Sequence, residues 1–333
     1  MAGNGRPVSW SSVGFTDNVN EAYPTGGGST ISGNSVNVFL YQNNCIDEGS
    51  VRYAGGKIYF TATGAKGNAK IHLYDSNKDP DGIWTWLIWC TDKPSDVDGV
   101  TGHTGTSYTV MDRNLGAITA SPGASEDVYG LYYQWGHYVG FTKAEFDQGS
   151  SGYTMAYSYA WFTNKPMIAD DQGTFQTFRM YGFATDRDQA WGLLWGGGSF
   201  AKANLQPGNI ANNKTMYDPC PPGYEVAPYD LLMGYINPGA NVTQGDYGIY
   251  IGPSGHKVFI PYNGNYYKGG SSWDGAAGSW VYLWTNVHKE NNMGMDYRYS
   301  SESGSGGLET TEGGSYRGHI IARGMGIRCV VGN

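Results

Sequence analysis

Apolar and polar residues alternate in short runs over residues 35–90, the signature of half-buried strands rather than of helices. Ser35-Val36-Asn37-Val38-Phe39-Leu40-Tyr41 follows the pattern, and so do Lys57–Thr63 and Lys70–Tyr74. Turn signals separate the runs at Gly55-Gly56, Gly67-Asn68 and Asp79-Pro80-Asp81-Gly82. They predict a small antiparallel β region leading into a strand from Trp84 to Cys90. Upstream, residues 1–35 are rich in Gly, Ser, Asn and Thr and include Gly26-Gly27-Gly28-Ser29-Thr30, which reads as an extended lead-in.

Beyond about residue 101 the texture changes. Leu131, Trp135 and Val139 stand four apart and predict a helix over Val128–Val139. A second helix is expected over Pro228–Ile236, where proline suits the first helical position. Residues 145–215 are aromatic and Gly-rich without clear period and read as long loops with short strands. Residues 247–331 alternate short strands with Gly-rich turns. Two helices among many strands predict an α+β domain. The chain thus divides into a lead-in (1–35), a small antiparallel β region (36–100) and a main domain (101–333).

Composition narrows the class. Of 333 residues only 15% are charged, whereas 52 are Gly, 27 Tyr and 11 Trp. Glycine supplies turns and aromatics suit pleated surfaces, so the chain reads as a loop-rich β protein and not as a disordered one. The net charge of −8, with 21 scattered basic residues, argues against nucleic acid as a partner. No apolar run reaches the roughly 18 residues of a membrane helix, so no direct membrane insertion is expected.

Motifs for chemistry are scarce. Asp75, Asn77, Asp79 and Asp81 are spaced as in calcium loops, but Pro80 and Trp86 stand where Gly and Glu are needed. The segment reads as a solvated turn, with weak calcium binding left open and no other cofactor expected. His72, His103, His137, His256, His288 and His319 lack metal-ligand spacing, and His288-Lys289-Glu290 is too compressed to form a triad alone. No nucleophile elbow, P-loop or dinucleotide fingerprint is present. A non-enzymatic protein without a metal centre is the expectation. Asp112-Arg113-Asn114 reads as a buried polar knot in which Arg113 pairs with Asp112 or a distant carboxylate. Four cysteines (Cys45, Cys90, Cys220 and Cys329) form no C-x-x-C pair, so zinc fits poorly. Pairing of Cys45 and Cys90 stays open.

Several blocks resemble a known family. Trp84-Thr85-Trp86-Leu87-Ile88-Trp89-Cys90-Thr91-Asp92 is similar to its "WSWHIWVTD", Val110–Ala117 to "VMDRNLGA" and Tyr129–Gly136 to "YGLYYQWG". Asp218-Pro219-Cys220-Pro221-Pro222-Gly223-Tyr224 and Gly326-Ile327-Arg328-Cys329-Val330 complete the order. Together, over roughly residues 58–331, they resemble the Fibrobacter succinogenes major paralogous domain of Bacteroidetes surface and pilus-tip proteins. The resemblance implies a C-type-lectin-like fold, an extracellular or cell-surface location and binding rather than catalysis. Met1–Pro7 lacks the apolar core of a signal peptide, so the chain reads as the mature part of such a protein or as exported by another route. In that fold the last strand returns beside earlier elements, which makes Cys220 and Cys329 the disulfide candidates. Two buried free thiols remain the alternative. A reduced pair in a cleft would be the enzyme reading, by fold-level analogy with formylglycine-generating enzymes.

The candidate binding surface lies in 262–319, dense in the Tyr, Trp, Asn, Ser, Gly and Asp that binding loops favour. His288, Asn291, Asn292, Asp296, Tyr297 and Tyr299 are its expected core, with Tyr282, Trp280, Tyr316 and His319 around them. Strand alternation puts Trp280 and Tyr282 on the face of Trp284, which the resemblance places inside. C-terminal C-type-lectin-like domains are targets of diversity-generating retroelements, and this composition fits such a variable region as well as it fits ordinary surface proteins. The expected ligand is a glycan or a protein on a cell surface, with other pilus subunits as further partners. The competing reading is a fimbrial tip or capping subunit that exchanges strands and has no ligand pocket.

Overall fold

Period-two alternation becomes sheet along most of the chain. The protein is seen in a computed structural model that describes residues 33–75, 79–136, 138–142, 195–197, 214, 218–235, 241–265, 277–289, 293–302, 305–307, 310–311, 315–316, 319–320 and 323–332. The first strands are β1 (Ser35–Gln42), β2 (Ile46–Ala54), β3 (Lys57–Ala62), β4 (Gly67–Asp75) and β5 (Asp79–Cys90). β1, β4 and β5 form one antiparallel sheet in that order, and β2 and β3 form a separate hairpin. Gly55 and Gly56 close that hairpin with φ of 56° and 75°, a conformation that side chains with a Cβ rarely adopt. The turn signals at Gly67-Asn68 and Asp79–Gly82 lie inside β4 and β5 instead, where Gly67 pairs with Cys90 and Asp75 with Asp79.

β4 is buried on both faces. Ala69 and Ile71 pack with Cys45 and Ile46 in a small core, while Asn68, Lys70 and His72 are buried on the opposite face. Polar ties join this region to the rest, among them Gln42 Nε2 donating to Asp127 Oδ1 at 2.7 Å. Asn68 Nδ2 donates to Gly116 O at 2.8 Å, Trp89 Nε1 donates to Ala117 O at 3.1 Å, and Arg113 reaches Asp92. Arg113 also bonds Asp112 at 2.8 Å, so the polar knot uses both the adjacent and the distant carboxylate. The Arg113 guanidinium holds the exposed Asp92 carboxyl well below the usual range.

The remaining elements are β6 (Asp96–Thr101), β7 (Ser107–Asn114), α1 (Glu126–Tyr129), β8 (Tyr224–Val226), α2 (Tyr229–Met233), β9 (Val242–Gln244), β10 (Gly248–Ile251), β11 (Val258–Pro261), β12 (Trp280–Lys289) and β13 (Met293–Ser300), then the short β14 (Ser305–Gly307), β15 (Thr310–Thr311), β16 (Ser315–Tyr316) and β17 (His319–Ile320), and finally β18 (Gly326–Val331). The main sheet runs β14-β13-β12-β18-β7-β6, with β17 against β13 and β8 against β18. β6 crosses the expected boundary at 100/101 and belongs to this sheet. A second sheet, β11-β10-β9, packs its Ile249, Ile251, Val258 and Ile260 into the main core with Leu283, Tyr297 and Val330.

The expected α+β architecture is overturned. The described chain is predominantly β in several, mostly antiparallel sheets, with helices of only four and five residues, and it lacks the two-helix C-type-lectin-like arrangement. The helix expected over Val128–Val139 stops at Gly130 (φ 79°), and Gly136 (φ 87°) breaks it again. A Cβ on Gly130 would lie 2.6 Å from Leu115 O, so close packing as well as conformation requires glycine there. Leu131, Trp135 and Val139 are buried as expected, but from non-helical chain: Tyr132 bridges to Phe141 and Tyr133 to Met325. The second helix begins after Pro228 and ends before Gly234.

Cys220 and Cys329 are joined by a disulfide with Cα atoms 5.9 Å apart across 109 residues of sequence. Beside it Asp218 accepts from Cys220 N (2.8 Å), Val226 N (3.0 Å) and Lys214 Nζ (2.8 Å). Burial pushes the Asp218 carboxyl upward, against the opposing pull of Lys214 and the main-chain donors.

Two measurements check this description. Replacing Cys220 and Cys329 together by Ser should lower unfolding free energy by roughly 4–5 kcal/mol on the loop-entropy picture; an unchanged denaturant midpoint would refute the staple. His72 is held neutral, its pKa pushed down to about 3 by burial and then by the charge of Lys70. The unfolded chain therefore binds one proton more between pH about 6.5 and 3, and stability falls as pH drops through that window by up to about 1.4 kcal/mol per unit. Chemical denaturation at pH 7, 5 and 4 should show a shallower loss for His72→Gln than for the wild type.

Candidate binding face

The β12–β13 hairpin fixes which residues of the candidate segment share a surface. Its register sets Trp280 opposite Ser300, Tyr282 opposite Arg298 and Trp284 opposite Asp296 on one face. The other face pairs Val281 with Tyr299 and Leu283 with Tyr297. Leu283 also pairs with Gly326 of β18 and belongs to the main core, so the odd-numbered face turns inward.

Tyr297 and Tyr299 are therefore core residues and not the exposed anchors expected from composition. Tyr297 is 0% exposed and its hydroxyl donates to Tyr235 O at 3.1 Å; burial drives its pKa far above the ordinary phenol value. Tyr299 is 4% exposed in the same cluster. Asp296, expected at the surface, is also buried, because it lies opposite Trp284 and ion-pairs with Arg298 at 3.1 Å. Ile327 and Val330 are buried, as the scaffold role required. Asn291 and Asn292 lie outside the described residues. His288 lies in β12 opposite Gly294, Tyr316 lies in β16, and His319 in β17 pairs with Gly294; their side chains also fall outside the description.

What remains is a ladder on the even face. The Trp280 and Tyr282 rings stack at 5.9 Å with planes 26° apart. The Arg298 guanidinium lies 5.9 Å from the Tyr282 ring centre, and its Nε donates to Asp296 Oδ2 at 3.1 Å. Exposure falls along β12, from the half-buried Trp280 to the buried Tyr282 and the fully buried Trp284. Trp284 Nε1 donates to Tyr133 O at 2.7 Å and Trp135 Nε1 to Thr285 O at 2.9 Å, which fixes the inner end of the ladder. Gly294 is required there, since a Cβ on it would meet Trp135 Cδ1 at 2.5 Å.

Asn263 holds the outer end. Its side chain accepts from Tyr282 N at 3.0 Å and donates to Tyr282 O at 2.8 Å, copying a strand partner, and its own carbonyl accepts from Tyr132 Oη at 2.6 Å. The sequence reading missed Arg298 and Asn263. Alternation from Trp284 through the hairpin would have exposed the role of Arg298; Asn263 carries only a turn signal beside Gly264.

The arrangement presents the half-buried Trp280 indole at the end of a buried stack and suits recognition by stacking. Among the described residues, no group of three or more His, Cys, Asp or Glu is placed to hold a metal ion, and no helix is long and apolar enough to cross a membrane. No family model, curated protein or solved structure matches the chain.

Two substitutions separate core from face. Tyr297→Ala should cost about 3–5 kcal/mol in chemical denaturation, as for large aromatic truncations in cores. Trp280→Ala, at the half-buried end, should cost about 1 kcal/mol or less. Equal costs would mean that Trp280 is a core residue too.

Proposed function

We propose that this chain is an extracellular ligand-binding protein, an adhesin or receptor-binding protein, whose ligand is a glycan or a protein on a cell surface. The observation that carries the reading is the Trp280–Tyr282 stack, open to solvent at its Trp280 end. A stacked indole offers a flat apolar surface at low entropic cost, and sugar rings or aromatic side chains dock on such surfaces. A cystine closing a long loop supports an oxidising, extracellular setting. The ordered blocks that resemble the Bacteroidetes surface-protein domain point the same way, and the reading does not rest on a lectin fold. A retroelement-diversified surface would have to spare Tyr297 and Tyr299, because varying core residues costs stability.

One observation favours the second reading, a structural fimbrial tip or capping subunit. Among the described residues the 12-residue β5 pairs only with β4, and a long edge is what strand addition uses.

Screening the full chain against a glycan array and a panel of surface proteins tests the first reading. The expected result is a ligand whose affinity drops about 30-fold in Trp280→Ala, the weight of a typical anchor of about 2 kcal/mol, with little change in melting. A ligand bound equally well by that variant would move the site elsewhere. Absence of any ligand, together with fibre incorporation abolished by Leu87→Pro, would favour the structural subunit.

A further inference from the structure

The N-terminal region holds a second pair of cysteines. Cys45 sits just before β2 and is fully buried, and Cys90 ends β5 and is half-buried. Both belong to the same small apolar core. Gly67 is the strand partner of Cys90, and a Cβ built on Gly67 would lie 3.2 Å from that of Cys45. Cys90 Sγ donates to Cys45 O at 3.7 Å, which brings the Cys90 thiol against the Cys45 residue. Cys45 O in turn accepts from Thr63 N at 3.1 Å, which fixes the Cys45 backbone beneath Cys90.

We propose that Cys45 and Cys90 are an oxidisable pair that closes a second disulfide by exchange with a small-molecule disulfide, tying the β2–β3 hairpin to the β1-β4-β5 sheet. The order of events follows from exposure. Cys90, the accessible thiol, attacks a disulfide RS–SR as its thiolate, forming a Cys90–S–S–R bond and releasing one RS⁻. Cys45 then attacks Cys90 Sγ; its proton goes to the released RS⁻, the Cys90–SR bond breaks and a second RS⁻ leaves. Two cysteine thiols are oxidised and one RS–SR is reduced to two thiols.

The second step is the slow one. Burial, and then the neighbouring Cys90, pushes the Cys45 thiol up to about 12, so little of it is thiolate at neutral pH. Closure should accelerate as pH rises. The consequence is mechanical: the hairpin, a two-stranded unit of its own, becomes covalently anchored across a sequence separation of 45.

The test uses the full chain, incubated with excess oxidised glutathione at pH 8.5, quenched with acid and digested without reduction. The expected result is a Cys45–Cys90 linked peptide beside the Cys220–Cys329 one, with two glutathione thiols released per chain and slower amide exchange in β2–β3. Cys90→Ser, which keeps the shape of the site, should abolish the new link, the thiol release and the slowed exchange. The proposal is overturned if Cys90 stops as a glutathione adduct with Cys45 still alkylatable after denaturation. It is equally overturned if both thiols survive, or if Cys45 pairs with Cys220 or Cys329.

Discussion

Strand β18 enters the main sheet between β12 and β7, so its ladder completes both halves at once. It runs parallel to β12 at Leu283 and Gly326, and antiparallel to β7 at Asn114 and Arg328 and to β8 at Val226 and Cys329. Without it, β12–β13 and β6–β7 would be separate hairpins, and hairpins alone are marginal in water. Arg328 pins its register. The fully buried guanidinium donates to Met111 O at 2.9 Å and Phe259 O at 2.8 Å, joining β7 and the second sheet through one side chain. Burial lowers its pKa to about 9, a measure of how costly the charge is there. A slipped β18 would bury that charge without its carbonyls, so the residue contributes position more than net stability. Its contact with Met111 spans 217 residues, and pairings so distant in sequence make for slow folding.

Short polar clamps hold what propensity cannot. A five-residue helix has almost no stability of its own. α2 persists because Asp230 accepts from Thr104 N (2.9 Å), Thr104 Oγ1 (3.0 Å) and Tyr108 Oη (2.9 Å), which binds the helix to the β6–β7 turn. Asp218 performs the same service for the turn that carries Cys220. In both cases a buried carboxylate is satisfied by main-chain and side-chain donors, the condition under which burying it is tolerable.

The strands of the N-terminal region were legible from alternation: Ser35–Tyr41, Lys70–Tyr74 and Trp84–Cys90 fall within observed strands, and Lys57–Thr63 overruns β3 by one residue, whereas the turn signals at Gly67-Asn68 and Asp79–Gly82 proved to be strand. β2 was missed, since Asp47-Glu48-Gly49-Ser50 hides its period behind polar residues and a register shift. The helix over Val128–Val139 misled for a definable reason. Spacing of four reports burial on one side but not backbone conformation, and the glycines at 130 and 136 decided the conformation. The disulfide was reached through a lectin-like fold that the chain does not adopt. Its support is local instead: a rigid Asp-Pro-Cys-Pro-Pro turn and a buried strand end brought together by the β8–β18 pairing.

The binding segment shows how composition and geometry part. Tyr and Trp are favoured both in paratopes and on the pleated faces of sheets, so their density cannot say which way they point. Period-two geometry can, and a shift of one residue reverses the answer for every side chain at once. Once Leu283 meets Gly326 in the core, Tyr297 and Tyr299 must follow it inward, and Trp280, Tyr282 and Arg298 must take the opposite face. The steep fall in exposure from Trp280 to Trp284 then assigns unequal roles along one strand. Trp284, Asp296 and Arg298 hold the ladder in place, and contact with anything outside falls to the indole at its end.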